Sequence, residues 1–295
     1  MGLGYTPQVW ANEALEILRS NIVMAPLVTK DTDVASFQQG DTIHIPYPGT
    51  LVANNKAANT PVTLQVPTST DTTVVLNKHK EVSILVEDFA RAQASQPLMQ
   101  SLLSAQVVAL AEAVESDIIA TYSSFSTSVG TSGTDLTAAT LRTVAKTFTD
   151  KKVGGNDRHL LLSTKDVVSL QADSTLQNFF AYNDSRDGGV STAAPVNIYG
   201  LHLHPSQLVP VVAGTPNSTK NLAFDPGAII LASRALPQAP VGSGVAQHTM
   251  VDEQSGLVLR VSMAYDPSNL GVQVTLDILY GVAKLRDEKG IIVLS

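Results

Sequence analysis

Gly40-Asp41-Thr42-Ile43-His44-Ile45-Pro46-Tyr47-Pro48-Gly49, and later Thr70-Asp71-Thr72-Thr73-Val74-Val75-Leu76 running on through Lys80-Glu81-Val82-Ser83-Ile84-Leu85-Val86, decide how this chain is read. Both stretches are rich in the β-branched residues that suit strands. Between them lies Asn54-Asn55-Lys56-Ala57-Ala58-Asn59-Thr60-Pro61, small and polar as a loop tip should be. An arm of about 20 residues at roughly 3.3 Å per residue reaches some 60 Å, beyond the radius of a compact domain of this size. The pattern predicts two long extended arms over 41–86 with nothing nearby to bury them. Such arms need cover from another subunit.

Composition points the same way. The 295 residues are enough for one large or two modest domains. Only 15% are charged, against a usual quarter, and mean hydropathy is +0.12. A surface so poor in charge is a solubility risk for a monomer and suits burial between subunits. A net charge of -7 argues against a protein whose main task is gripping nucleic acid, because phosphate contacts need concentrated Lys and Arg. The absence of cysteine excludes disulfides, thiolate metal sites and a Cys nucleophile. The start Met1-Gly2-Leu3-Gly4-Tyr5-Thr6-Pro7 has no basic-then-apolar pattern, and no apolar run approaches membrane-spanning length. A protein made and kept in a cytoplasm is expected, with no membrane partner.

Around the arms the elements alternate in type. Trp10, Ala14, Leu18 and Ile22 stand at helical spacing within 9–24, and Ala25-Pro26 ends that amphipathic helix. Ser95-Gln96-Pro97 opens a helix to about Tyr122, with a stripe of Leu98, Leu102, Ala105, Ala109, Val114, Ile118 and Tyr122 widened by Val107, Leu110, Ala111 and Ile119. At 1.5 Å rise this is a spine of close to 40 Å. Ser123 to Thr134 is a Ser/Thr/Gly linker and the best domain boundary. Beyond it, Asp135-Leu136-Thr137 caps a helix to Lys151 that Gly154-Gly155 stops. His159 to Ser163 reads as a buried strand, Thr164 as the cap of a helix over 165–171, and 197–204 as one further strand. Residues 183–194 read as an exposed flexible loop. Strands over 257–263 and 271–280, joined by Asp266-Pro267-Ser268-Asn269, read as a hairpin.

Catalytic signatures are missing. No G-x-S-x-G, H-E-x-x-H, P-loop or dinucleotide fingerprint occurs. Asp157, His159 and Ser163 have the residue types of a triad, but so close on one strand that a structural role is expected. His202 and His204 share one strand face and would begin a metal site, yet no further ligand sits beside them in sequence. Asp184, Asp187 and Gly188 miss calcium-loop spacing. Glu112, Glu115 and Asp117 read as a solvated helix face. Neither catalytic residue, cofactor nor metal is expected, and the protein is read as a non-enzyme.

Taken in order, these parts resemble the major capsid proteins of tailed bacteriophages, with the Hong Kong 97 capsid fold. Pro7-Gln8-Val9-Trp10-Ala11-Asn12-Glu13 leading to Asn21-Ile22-Val23-Met24-Ala25-Pro26-Leu27-Val28 is similar to that family's N-terminal arm, and 37–46 to the approach to its extended loop. The helix from Pro97 resembles its spine helix. Ile198-Tyr199-Gly200-Leu201 with Ser206-Gln207-Leu208-Val209-Pro210, and Asp277-Ile278-Leu279-Tyr280-Gly281, are similar to segments of its axial domain and C-terminal strands. The resemblance implies an α+β fold with an N-terminal arm (1–36), an extended β-hairpin loop with its base strands (37–87), a peripheral domain (88–128 and 239–275) with the spine helix at about 97–122, and an axial mixed α/β domain (129–238 and 276–295).

It also implies a function. Many copies would form hexamers and pentamers of an icosahedral shell enclosing double-stranded DNA, held without sequence-specific binding, in a virion capsid assembled in the host bacterial cytoplasm. Trp10, Leu15 and Leu18 of the arm and Ile43, Ile45, Tyr47, Lys56, Val62 and Leu64 of the loop would lie at subunit interfaces. A portal, a decoration protein and a scaffolding protein are the further partners; with the arm beginning in the first ten residues, scaffolding would be a separate protein or absent. Some members cross-link Lys to Asn. Lys56 at the loop tip has no motif naming its partner, so non-covalent contact is expected. The alternative of the same fold is a bacterial nanocompartment shell holding cargo, and a lesser one is a cytoplasmic hydrolase using Asp157, His159 and Ser163 or the His202/His204 pair.

Overall fold

Apolar residues three and four apart make the first element a helix with one buried face. In the computed structural model, which describes residues 7–31, 42–48, 51–66, 69–88, 97–155, 157–176, 197–240 and 242–295, α1 runs Pro7–Asn21. Its Ala11, Ala14 and Leu18, with Ile22 just beyond, are buried. A short 3-10 turn Ala25–Leu27 follows, then strand β1 (Thr29–Asp31). The loop strands are β2 (Thr42–Pro48) and β3 (Ser69–Val75), and β4 is Lys78–Glu87. The spine helix α2 spans Pro97–Ile119 and tightens into a 3-10 turn over Ala120–Ser124.

The expected stripe on α2 is out of phase in its first half. Ala105 and Ala109 are exposed, while Leu103, Gln106, Val107 and Leu110 face the core. The helix is apolar almost all round, so spacing alone does not fix which side turns inward. Gln106 shows what does. Its Nε2 donates to the carbonyls of Val82 and Val274, 3.2 Å each, on the sheet beneath.

Beyond α2 come β5 (Ser128–Gly130), α3 (Ala138–Asp150), β6 (Arg158–Ser163), α4 (Thr164–Ala172), β7 (Asn197–Ile198), β8 (Leu201–Ser206), β9 (Val211–Val212) and β10 (Ser218–Phe224). The chain then returns through β11 (Ile229–Arg234), β12 (Ala246–Val251), β13 (Val258–Asp266), β14 (Gly271–Lys284) and β15 (Gly290–Leu294). Two sheets carry the fold. The first has the order β1-β11-β14-β13-β12 with β4 also on β14. It packs under α1 and α2 around Leu18, Met24, Val107, Val114, Leu259, Leu276 and Ile278. Its β13–β14 hairpin turns where expected, with Asp266 accepting from Ser268 N at 2.8 Å.

The second sheet runs β5-β15-β10-β6-β8-β7, with β9 on β10. Every residue of β6 is buried because both faces are covered. Leu160 and Leu162 meet Leu141, Val144, Phe148 and Leu170 of α3 and α4, while Leu161, Leu222 and Phe224 join the core shared with the first sheet.

Several local expectations are corrected here. Ser163, one residue earlier than expected, caps α4 by accepting from Asp166 N at 3.2 Å. Both neighbours can cap, and the buried position won. α3 ends at Asp150, with Lys152 in the left-handed region (φ 59°) ahead of the glycines expected to stop it. The strand expected over 197–204 is a hairpin, β7 and β8 paired across Tyr199 and Gly200 at φ 53° and 77°, values that suit a tight two-residue turn. By sheet membership, β11 and all of β14 belong with the first sheet, so the second draws on residues up to Phe224 and again from Gly290, a division that differs from 129–238 and 276–295. β14 pairs with β4, β11 and β13 and runs unbroken across the boundary placed at 275/276.

Candidate assembly surface

Residues 51–66 form no helix or strand, turn at Ala58-Asn59, and every one of them is exposed. Among them Leu64 and Val66 are 87% and 89% accessible, and Leu51, Val52 and Val62 also stand in water. Five large apolar side chains exposed on one excursion are what a partner-binding segment presents. The tip turns at Asn59 (φ 60°), where Thr60 Oγ1 donates to Ala57 O at 2.9 Å. Lys56 Nζ bonds the same carbonyl at 3.0 Å. The neck is clamped, as Gln65 Oε1 accepts from Val52 N at 3.0 Å while its Nε2 donates to Val52 O.

The loop is anchored more firmly than its sequence suggests, which corrects the reading of two arms with nothing to bury them. β2 and β3 pair antiparallel from Thr42↔Val75 to Pro48↔Ser69, and β4 is an integral strand of the first sheet, in register with β14 from Gly271↔Glu87 to Tyr280↔Lys78. Val74 and Leu76 are buried with Ile230 and Ala232, and Ile43 and Ile45 pack on them. The sequence could not reveal this cover because its partners lie some 150 residues further on. Tyr47 carries the Arg286 guanidinium 4.0 Å over its ring, and His44 Nδ1 is 2.6 Å from Asp71 Oδ2.

Beneath β4 a cluster of charge ties loop to spine. Asp117 Oδ1 is 2.8 Å from Lys78 Nζ, its Oδ2 is 3.4 Å from Lys80 Nζ, and Tyr280 Oη donates to Oδ2 at 2.6 Å. Burial opposes the charge on Asp117, but hydrogen bonds from Lys78 and Tyr280 outweigh it and hold the carboxyl below its usual range. Glu115 corrects the expectation of a solvated face. It is 3% exposed and accepts from Val23 N and Met24 N at 2.7 and 2.5 Å, where the chain leaves α1. Burial raises its pKa against the pull of those bonds. Glu112 does face solvent.

The residues expected at interfaces therefore fall into separate groups. Lys56, Val62 and Leu64 are exposed on the loop; Ile43, Ile45 and Tyr47 are partly covered at its base. Leu18 is fully buried in the chain's own core and Leu15 nearly so, because α1 packs its stripe against α2 and the β12–β13 region. Trp10 lies within α1, its side chain outside the described residues. The hydrolase candidates are engaged by neighbours within the fold. Ser163 Oγ donates to Asp166 Oδ2 at 2.7 Å, and Asp157 Oδ1 lies 3.1 Å from His159 Nε2. β8 pairs beside β6 and brings His202 and His204 to His159, yet among the described residues no group of His, Asp and Glu is placed to hold a metal ion. Asp184, Asp187 and Gly188, and the loop read over 183–194, lie outside the described residues. No described helix is long and apolar enough to cross a membrane.

Against solved structures, this arrangement of spine, two sheets and projecting loop superposes on the chain in the capsid of Ralstonia phage GP4 with a TM-score of 0.66 at 11% identity, covering 94% of this chain and 90% of that one. It is likewise similar to the chain in the capsid structure of the cyanophage P-SCSP1u, TM-score 0.65 at 14% identity over 92% and 87%. This is the Hong Kong 97-type capsid fold. The capsid fold also relates the chain to a virus-like particle from Pyrococcus furiosus, with a TM-score of 0.54 at 9% identity over 96% of each chain. No family model and no curated protein sequence matches the chain.

Proposed function

We propose that this chain is the major capsid protein of a tailed phage, many copies of which close into an icosahedral shell of hexamers and pentamers around double-stranded DNA. One observation carries the reading: an apolar loop, exposed from Leu51 to Val66, on a body whose fold is that of phage capsid chains. Burying a Val or Leu side chain stabilises by about 1.5–3 kcal/mol, so five docked on a neighbour supply on the order of 10 kcal/mol before association costs. Val62, Leu64 and Lys56 are the proposed contacts of the tip, and Ile43, Ile45 and Tyr47 aim it. The chain has no reaction of its own in this role. Its partners are copies of itself, with a portal, a decoration protein and, where one is used, a scaffolding protein as further ones, and its place is the virion, after assembly in the host bacterial cytoplasm. The nanocompartment reading is not favoured, the virus-like particle being the looser match at 0.54 against 0.66.

Negative-stain microscopy and size-exclusion chromatography of the purified chain test the proposal. Closed shells or capsomers are expected; a small monomer at every concentration and salt tried overturns it. Deleting residues 50–66 should leave a folded subunit that forms no shells. Normal particles from that variant would refute the role of the loop.

A further inference from the structure

Among the described residues, the second sheet ends in an edge hairpin, β7 and β8, that is joined to the rest of the sheet through β6. Parallel pairing sets His159 of β6 directly beside His202 of β8, with His204 two residues on. All three imidazoles gather on one face. The rings of His202 and His204 lie 5.6 and 5.2 Å from that of His159, and His159 Nδ1 is 3.1 Å from His204 Nε2. The ring of Phe224 closes the floor, 5.6 Å away. The acidic groups that bear on the cluster are Asp157, entering β6 with its carboxylate 3.1 Å from His159 Nε2, and Asp225, after β10, whose carboxylate is already paired with Lys289. His159 is buried.

Hydrogen-bond stoichiometry limits how many protons this cluster can hold. With His159 Nε2 donating to Asp157, its Nδ1 must accept from His204 Nε2–H. A first extra proton, on the far nitrogen of His204, leaves that bond intact. A second, on His159 Nδ1, sets donor against donor and adds a like charge to a half-dry site with His202 alongside. We propose that His159, His202 and His204 form an acid-released latch on the edge hairpin, holding β8 to β6 while no more than one is charged and repelling it when two or three are. Release is local, because among the described residues β7–β8 has no strand beyond it in the sheet to retain it.

The direction of titration agrees. Burial and then the neighbouring imidazoles hold His204 down to about 4, and burial lowers His159 against the pull of Asp157. Folded-state values below the ordinary 6.5 mean that the unlatched state binds protons more readily. The latch is therefore intact above about pH 6.5 and lost as pH falls toward 4. A fully dry group lowered that far would shift the opening equilibrium on the order of a hundredfold; partial exposure of His204 reduces this to roughly tenfold.

Hydrogen exchange read by mass spectrometry on the full chain tests this, comparing peptides over 197–206 with an internal reference over 258–284 at pH 7.5 and 4.5, after correction for intrinsic exchange. Protection of 197–206 should fall roughly tenfold more than the reference in the wild type. His204→Gln, which keeps an amide to meet His159 but cannot be charged, should reduce the excess the most. His202→Gln, which leaves the 3.1 Å bond untouched, should reduce it, and this variant decides the matter if His204→Gln does not fold. His248→Gln, on β12, should behave as wild type. Equal loss in both segments of the wild type, or an undiminished excess in the cluster variants, overturns the latch.

Discussion

Glu115 shows how much one side chain contributes to holding this fold together. Its carboxylate closes two backbone N–H groups where α1 gives way to the 3-10 turn, and the Met24 side of that contact is wholly buried. Removing the acceptor leaves two donors stranded at about 1–3 kcal/mol each. Glu115→Ala should therefore cost about 2–6 kcal/mol in urea unfolding, and Glu115→Gln, which still offers a carbonyl, should lie within about 1 kcal/mol of wild type. The pH dependence has a definite sign. A carboxyl raised by burial favours the folded state most when protonated, so its contribution weakens as pH rises through its unfolded value near 4.5 and above, and the Gln variant should lack that weakening. Nothing local in Ala113-Val114-Glu115-Ser116 announces this role; an acid among apolar neighbours on a long helix reads as a solvent face until the element it meets is known.

Among the elements, the base of the loop is tightly constrained. Gly281 of β14 faces the end of β3, and a Cβ there would lie 2.2 Å from Val75 O. Since the obstacle is backbone, Gly281→Ala cannot be relieved by a rotamer change; β3 must leave β14. The expected outcome is a lower thermal midpoint and faster proteolysis within 42–76, with β13–β14 protection retained. Strand identities here were readable from β-branched runs, and the β13–β14 hairpin from its Asp-Pro-Ser-Asn turn. Helix phase was not, because α2 has apolar residues on every side, and its inner face is marked by polar side chains whose partners lie far off in sequence, Gln106 reaching Val82 and Val274 and Glu115 reaching Val23 and Met24. The histidine cluster was half legible: His202 and His204 share a strand face by period, but His159 joins them through a parallel pairing that no local pattern encodes.

For the whole molecule, assembly and folding should be separable. The loop residues lie in water, and surface substitutions away from packed features change stability by about 0.5 kcal/mol or less. Changing Val62, Leu64 and Val66 together to Asp should leave the unfolding midpoint of the subunit almost unmoved while abolishing shells by microscopy. A large drop in subunit stability would mean that the loop packs on its own body. The order of parts made the capsid fold readable from sequence. What stayed hidden was the division of labour within it: Leu15 and Leu18 serve the subunit's own core, while Leu51, Val52, Val62, Leu64 and Val66 of the loop stand in water.

The pair of hydrogen bonds between Gln65 and Val52 has a kinetic side. A tether closed at its neck searches a smaller volume and meets a neighbour as a preformed hook, so less chain entropy remains to be lost on docking. If the loop docks on a neighbour as proposed, opening that neck leaves its five apolar side chains available for the contact and still makes shells slow to begin.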